Sequence, residues 1–129
     1  MQVSIQPMAT TEHHLAVGKA LAPFRSEGVL ILASGSATHN LHDFFGRSLD
    51  AAMPEYVAQF NDWLIRSVQA DDQQALLDYQ HQGPHALQNH PTPEHLLPLF
   101  VAMGSGGMPE LLHDAVTYGV ISMASFAWC

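Results

Sequence analysis

The chain has 129 residues, 47% of them hydrophobic and only 12% charged, enough for one folded domain with a buried core and too apolar for a disordered chain. Its formal net charge is −8, with Lys19, Arg25, Arg47 and Arg66 the only Lys or Arg residues, so no basic patch for nucleic acid can be assembled. No apolar run reaches the roughly 18 residues of a membrane span, no signal-peptide pattern opens the chain, and the lone Cys129 excludes an internal disulfide framework and suggests a reducing cytoplasm.

"QVSIQ" (Gln2 to Gln6) alternates apolar and polar residues and predicts a strand ended by Pro7. Thr10 or Thr11 caps a helix expected to run to about Glu27, with Leu15, Val17, Ala20, Leu21 and Phe24 as its stripe and Pro23 shortening it. Gly28 releases the chain into "VLILAS", a continuous apolar run that suits a strand buried on both faces. Strand, helix, strand in so short a span predicts a crossover unit with a parallel pair.

Leu41 to Met53 is turn-rich. Pro54 to Val68 then predicts a strong helix whose apolar face is Tyr56, Val57, Phe60, Trp63, Leu64 and Val68. A shorter helix is expected over Asp72 to Tyr79, followed by a polar loop from His81 to Pro93. Pro93 to Gly104 predicts a helix with Thr92 as N-cap, and Gly104 to Gly107 a flexible turn. The tail "YGVISMASFAW" alternates as a final strand, expected beside "VLILAS". The fold class is therefore α/β: a three-layer domain, residues 1–129, with a mostly parallel or mixed sheet flanked by helices.

Nine histidines outnumber the four Lys and Arg residues, which makes metal binding or proton transfer worth testing. Ligand sites in open α/β sheets lie at the carboxyl ends of strands, and "SGSATHN" follows such an end. There Gly35 allows a tight turn, Ser36 and Thr38 can bind a ligand or the backbone, and His39 projects as a candidate acid/base; the alternative is a Gly-Ser turn carrying a surface histidine. In "NHPTPEHLLP", His90 and His95 flank a rigid Pro-rich helix start with Glu94 adjacent. Two histidines and a carboxylate suit Fe(II), and imidazole also suits Zn; a capping loop with solvated histidines is the alternative. His13 and His14 are expected on the surface, and Phe126 and Trp128 either border a pocket or pack within a strand.

"GVLILASGSATHNL", "HPTPEHLLPLFVAMG" and "YGVISMASFAW" together resemble the C-terminal half of the class III extradiol ring-cleavage dioxygenases, and their 4,5-DOPA dioxygenase-like branch in particular. The resemblance implies an oxidoreductase that opens the ring of a catechol such as DOPA with dioxygen, using one Fe(II) or Zn(II) per complete site. It implies His39 as the catalytic acid/base, His95 as a metal ligand with His90 and Glu94 in reserve, and Ser36 and Thr38 near substrate.

Family members of this type run to about twice this length, and their N-terminal half carries two further metal-binding histidines. The site is thus expected to be incomplete in this chain and to need an N-terminal-half subunit or a homodimer. The competing expectation is a non-catalytic assembly or regulatory subunit, or an inactive fragment, that retains the fold.

Overall fold

The longest regular element forms where the apolar spacing is cleanest. In the computed structural model, which describes residues 1–129, helix α3 spans Glu55–Gln69 and buries Val57, Phe60, Asn61, Leu64, Ile65 and Val68. These recur at three- and four-residue steps, which is one face of a helix. Phe60 and Leu64 join Tyr79, Leu97, Phe100 and Trp128 in the core.

Helix α1 (Thr11–Leu21) starts at the Thr10 hydroxyl, which accepts from the His13 amide at 3.2 Å. Pro23 lies at the start of a 3-10 turn, Ala22–Glu27, and Gly28 ends it with φ +80°. The buried residues of α1 are His14, Leu15 and Gly18, so of the predicted stripe only Leu15 is buried. The reason is its neighbour α7 (Leu97–Gly104). A Cβ on Gly18 would lie 2.1 Å from the Val101 carbonyl oxygen, and one on Gly104 would lie 2.2 Å from that of Leu15. Backbone meets backbone at this crossing, and only glycine permits it.

Between α1 and α3 lies the single turn α2 (Leu41–Phe44), capped by Asn40. After α3 come α4 (Gln73–Leu77), capped by Asp72, and the single turns α5 (Tyr79–Gln82), which runs into the stretch expected to be loop, and α6 (Ala86–Asn89), which lies inside it. Helix α7 begins at Leu97 rather than Pro93, because residues 91–96 form turns.

The sheet differs most from expectation. Strands β1 (Pro109–His113) and β4 (Ser125–Trp128) pair antiparallel, as do β2 (Val116–Thr117) and β3 (Ile121–Ser122), giving two two-stranded sheets in place of one mostly parallel sheet. Gln2–Gln6 and Val29–Ser34 are not strands. A run buried on both faces needs a neighbour on each side, and the tail that was expected beside it bonds instead to β1 and β2. Leu30 and Leu32 are each left 85% exposed.

Two arginines tie loops together through main-chain carbonyls, and a third caps a carbonyl of its own helix α3. The Arg25 guanidinium donates to Ser105, Gly106 and Trp128, Arg47 to Asp43 and Ala52, and Arg66 to Asp62. No helix is long and apolar enough to cross a membrane.

Candidate active site

The loop after the unpaired run is held against the segment that precedes α7. A Cβ on Gly35 would sit 2.2 Å from the His95 carbonyl oxygen, so the two backbones touch only because residue 35 is glycine. The Ser36 amide donates to that same oxygen at 2.8 Å, and the His39 amide donates to the Asn89 carbonyl at 3.0 Å. The two segments are buckled at both ends of the loop.

Its middle is fixed from below. Thr38 is fully buried; its hydroxyl donates to the Val120 carbonyl and accepts from the Ser122 amide, both at 2.8 Å. The Ser36 hydroxyl donates to the Thr38 carbonyl at 2.8 Å. His90 is 1% exposed, and its Nε2 donates to the Ala37 carbonyl at 2.8 Å, while Nδ1 is buried without a partner. Burial holds the His90 pKa down at about 4, so the ring is neutral around pH 7. Of the residues singled out from sequence, Thr38 and His90 thus have their polar atoms in the fold, and Ser36 closes its own turn.

This scaffold brings His39 and His95 together. Their rings stack with centroids 3.6 Å apart and planes at 21°. His39 is half-buried, and its pKa is lowered, first by burial and then by the neighbouring His95. Glu94 Oε1 stands 3.8 Å from His95 Nε2 and accepts from the Thr92 hydroxyl at 2.8 Å. Its carboxyl is held below the usual range by hydrogen bonds from its own backbone and from Thr92. No side chain or backbone group hydrogen-bonds to the ring nitrogens of His39, which leaves them open to a ligand or a proton.

A cavity of about 400 Å³ opens beside His95, lined largely by apolar side chains that include Leu64, Leu99, Phe126 and Trp128. The Trp128 indole N–H is buried without a partner. Both aromatic residues therefore border a pocket. Of the pair expected on the surface, His13 is exposed but His14 is buried: it bonds the Thr10 carbonyl through Nδ1 at 2.7 Å and accepts from the Gln6 amide through Nε2 at 3.3 Å.

Sequence reasoning missed Asn89 and Asn40 as supports. Asn89 Nδ2 donates to the Tyr56 and His85 carbonyls, and Asn40 Nδ2 to the Gln88 carbonyl. Tyr56 and Gln88 are 33 and 48 positions from their donors, and no local pattern marks those contacts.

The donor set can be weighed against the metal implied by the resemblance. A tightly held Zn or Fe(II) takes three or more protein donors. No group of three or more His, Cys, Asp or Glu side chains in the chain is placed to hold an ion. His95 with Glu94 does not make a complete metal site.

Over residues 1–128 the chain matches the family described as the catalytic LigB subunit of aromatic ring-opening dioxygenase. It is 38% identical to the 4,5-DOPA dioxygenase extradiol of Portulaca grandiflora over 129 residues, covering 97% of this chain and 47% of the relative. The protein of the same name from Beta vulgaris is also 38% identical, with the same shares covered. The crystal structure of uncharacterized protein JW3007 from Escherichia coli K12 superposes with a TM-score of 0.79 at 27% identity, over 95% of this chain and 52% of that one. The chain spans about half the length of the curated relatives it matches.

Proposed function

Because the chain belongs to the LigB family of aromatic ring-opening dioxygenase catalytic subunits, we propose that it forms the acid/base-bearing part of an extradiol dioxygenase that opens a DOPA-like catechol with dioxygen. The observation that carries this reading is the stack of His39 on His95, held by Gly35 and Ser36 against the His95 carbonyl. Two relatives named 4,5-DOPA dioxygenase extradiol support the substrate class.

In this reading a ring nitrogen of His39 takes the proton from a catechol hydroxyl and returns it later. A lowered pKa keeps that nitrogen unprotonated at neutral pH, as a base requires. His95 is the metal-directed imidazole, with Glu94 at its edge; His90 is not suited to that role, since its Nε2 is bound to Ala37 and its ring is enclosed. Ser36 and Thr38 shape the loop under the substrate rather than reaching it. Fe(II) or Zn(II), if bound, would be held in part by His95 and would supply Lewis-acid chemistry toward the catechol. Such a metal would need at least two donors besides His95, and a cytoplasmic setting suits the free, exposed Cys129.

A second reading, a non-catalytic assembly subunit on the same fold, is favoured by that short donor set alone. The test uses the chain assembled with the half of the Portulaca grandiflora relative that it does not match, with metal content and L-DOPA-dependent oxygen uptake measured. His39→Ala should abolish uptake and leave metal bound, whereas His95→Ala should lose both. Unchanged uptake in His39→Ala overturns the acid/base role.

A further inference from the structure

Main-chain hydrogen bonding stops between Leu30 and Gly35. None of these residues exchanges a backbone–backbone hydrogen bond, and neither does any from Met1 to Ile5. Exposure alternates as in a strand: Leu30, Leu32 and Ser34 face solvent, while Ile31 and Ala33 are half-buried. Below the run lies the apolar cavity between Leu32–Ala37 and the Ala124–Trp128 flank.

Natural proteins blunt an open strand edge with lysine, proline, a bulge or a cover, because bare edges recruit other chains. The segment Val29–Gly35 has no charge and no proline. A device against pairing is missing where the need for one is greatest. The relatives offer a candidate occupant, since this chain covers 47% of the Portulaca grandiflora protein and 52% of the E. coli chain.

The geometry points to Val29–Gly35 as a strand-addition surface, whose occupant is a polypeptide equivalent to the half of those relatives that this chain does not match. An added strand satisfies the free N–H and C=O groups and covers Leu30 and Leu32. The segment runs directly into Gly35 and the His39 loop, so its occupant lies next to the stacked histidines, where further metal donors are needed. The identity of the occupant rests on the family reading above; the open edge does not.

The test co-expresses the full chain with the unmatched half of the Portulaca grandiflora relative and reads complex mass by light scattering and amide exchange over Leu30–Gly35. The expected result is a one-to-one complex in which those amides exchange at least about tenfold more slowly. The double variant Leu30→Lys, Leu32→Lys should weaken the complex at least about tenfold, since a packed strand must desolvate two ammonium groups. Both side chains are exposed in the free chain, so circular dichroism should show the fold unchanged.

A chain that pairs with itself through this segment overturns the proposal in favour of a second copy. A folded chain that ignores the co-expressed half overturns it too, as do amides already slow in the free monomer. A complex that forms but neither keeps metal nor consumes oxygen leaves the surface standing and sinks the dioxygenase reading. Turnover with fast amides over Leu30–Gly35 does the reverse.

Discussion

The imidazoles of His39 and His95 lie face to face, 3.6 Å between centroids, so a proton on one is felt by the other. Burial is the larger cause of the lowered His39 pKa, and His95 adds to it. In NMR titrations His39 should titrate below 6.5, its ordinary value. His95→Ala should move it part of the way back up, because the burial remains. A His39 midpoint indifferent to His95→Ala would show that the rings do not communicate.

Gly35→Ala probes how the pair is held. The new methyl group would meet the His95 carbonyl at 2.2 Å, and a backbone oxygen cannot swing aside as a side chain can. Loss of the Ser36 to His95 hydrogen bond and local displacement should cost roughly 2–4 kcal/mol in denaturant unfolding. The His39 midpoint should also rise as the rings part. A variant of native stability and native titration would mean the contact is looser than described.

Thr38→Val keeps the shape and removes the hydroxyl that serves both Val120 and Ser122. One buried carbonyl and one buried amide then lack partners, for an expected loss of about 2–4 kcal/mol. Thr38→Ser should recover most of it, losing only a methyl group, about 1 kcal/mol. If the valine and serine variants were equally stable, the hydroxyl would have no structural role.

His90 makes stability depend on pH. Its folded pKa of about 4 lies below the ordinary 6.5, so the unfolded chain binds the proton more readily than the fold does. The stabilisation is full above pH 6.5 and falls as pH drops towards 4. Over that window the loss should reach about 3 kcal/mol, on top of other groups' contributions. His90→Gln, which can still donate to the Ala37 carbonyl, should flatten the curve between those limits. An unchanged slope would assign the acid sensitivity to other residues.

Local patterns carried a good part of the helical framework. Val57, Phe60, Leu64 and Val68 announce α3, Thr10 and Asp72 stand where the caps are, and Pro23 and Gly28 mark the end of α1 and its 3-10 extension. The turns α5 and α6 have four residues each, too short for periodicity to show. Gly104 reads as part of a flexible turn, yet it is the contact point with Gly18, a relationship across the fold that no window of sequence contains.

The apolar run Val29–Ser34 has the composition of a central strand, but being central depends on neighbours, and residues 1–129 supply none. Family resemblance singled out His39 and His95. Their stacking was not legible, since it depends on the Gly35 backbone meeting residue 95. The enclosure of His90 depends likewise on Ala37, 53 positions away.

The arginines act as struts rather than counter-ions. Arg25, Arg47 and Arg66 point their guanidiniums at neutral carbonyl oxygens, and the carboxylate contacts to basic side chains are to histidines, Asp78 with His81 and Glu94 with His95. The 12 Asp and Glu residues therefore have no fixed cationic partners among the Lys and Arg side chains. Neutralising them falls to the ions of the solvent, which act over a Debye length of about 8 Å at physiological salt. Dilution of the buffer loosens such a body and added salt tightens it, while its outward field gathers mobile cations around the fold.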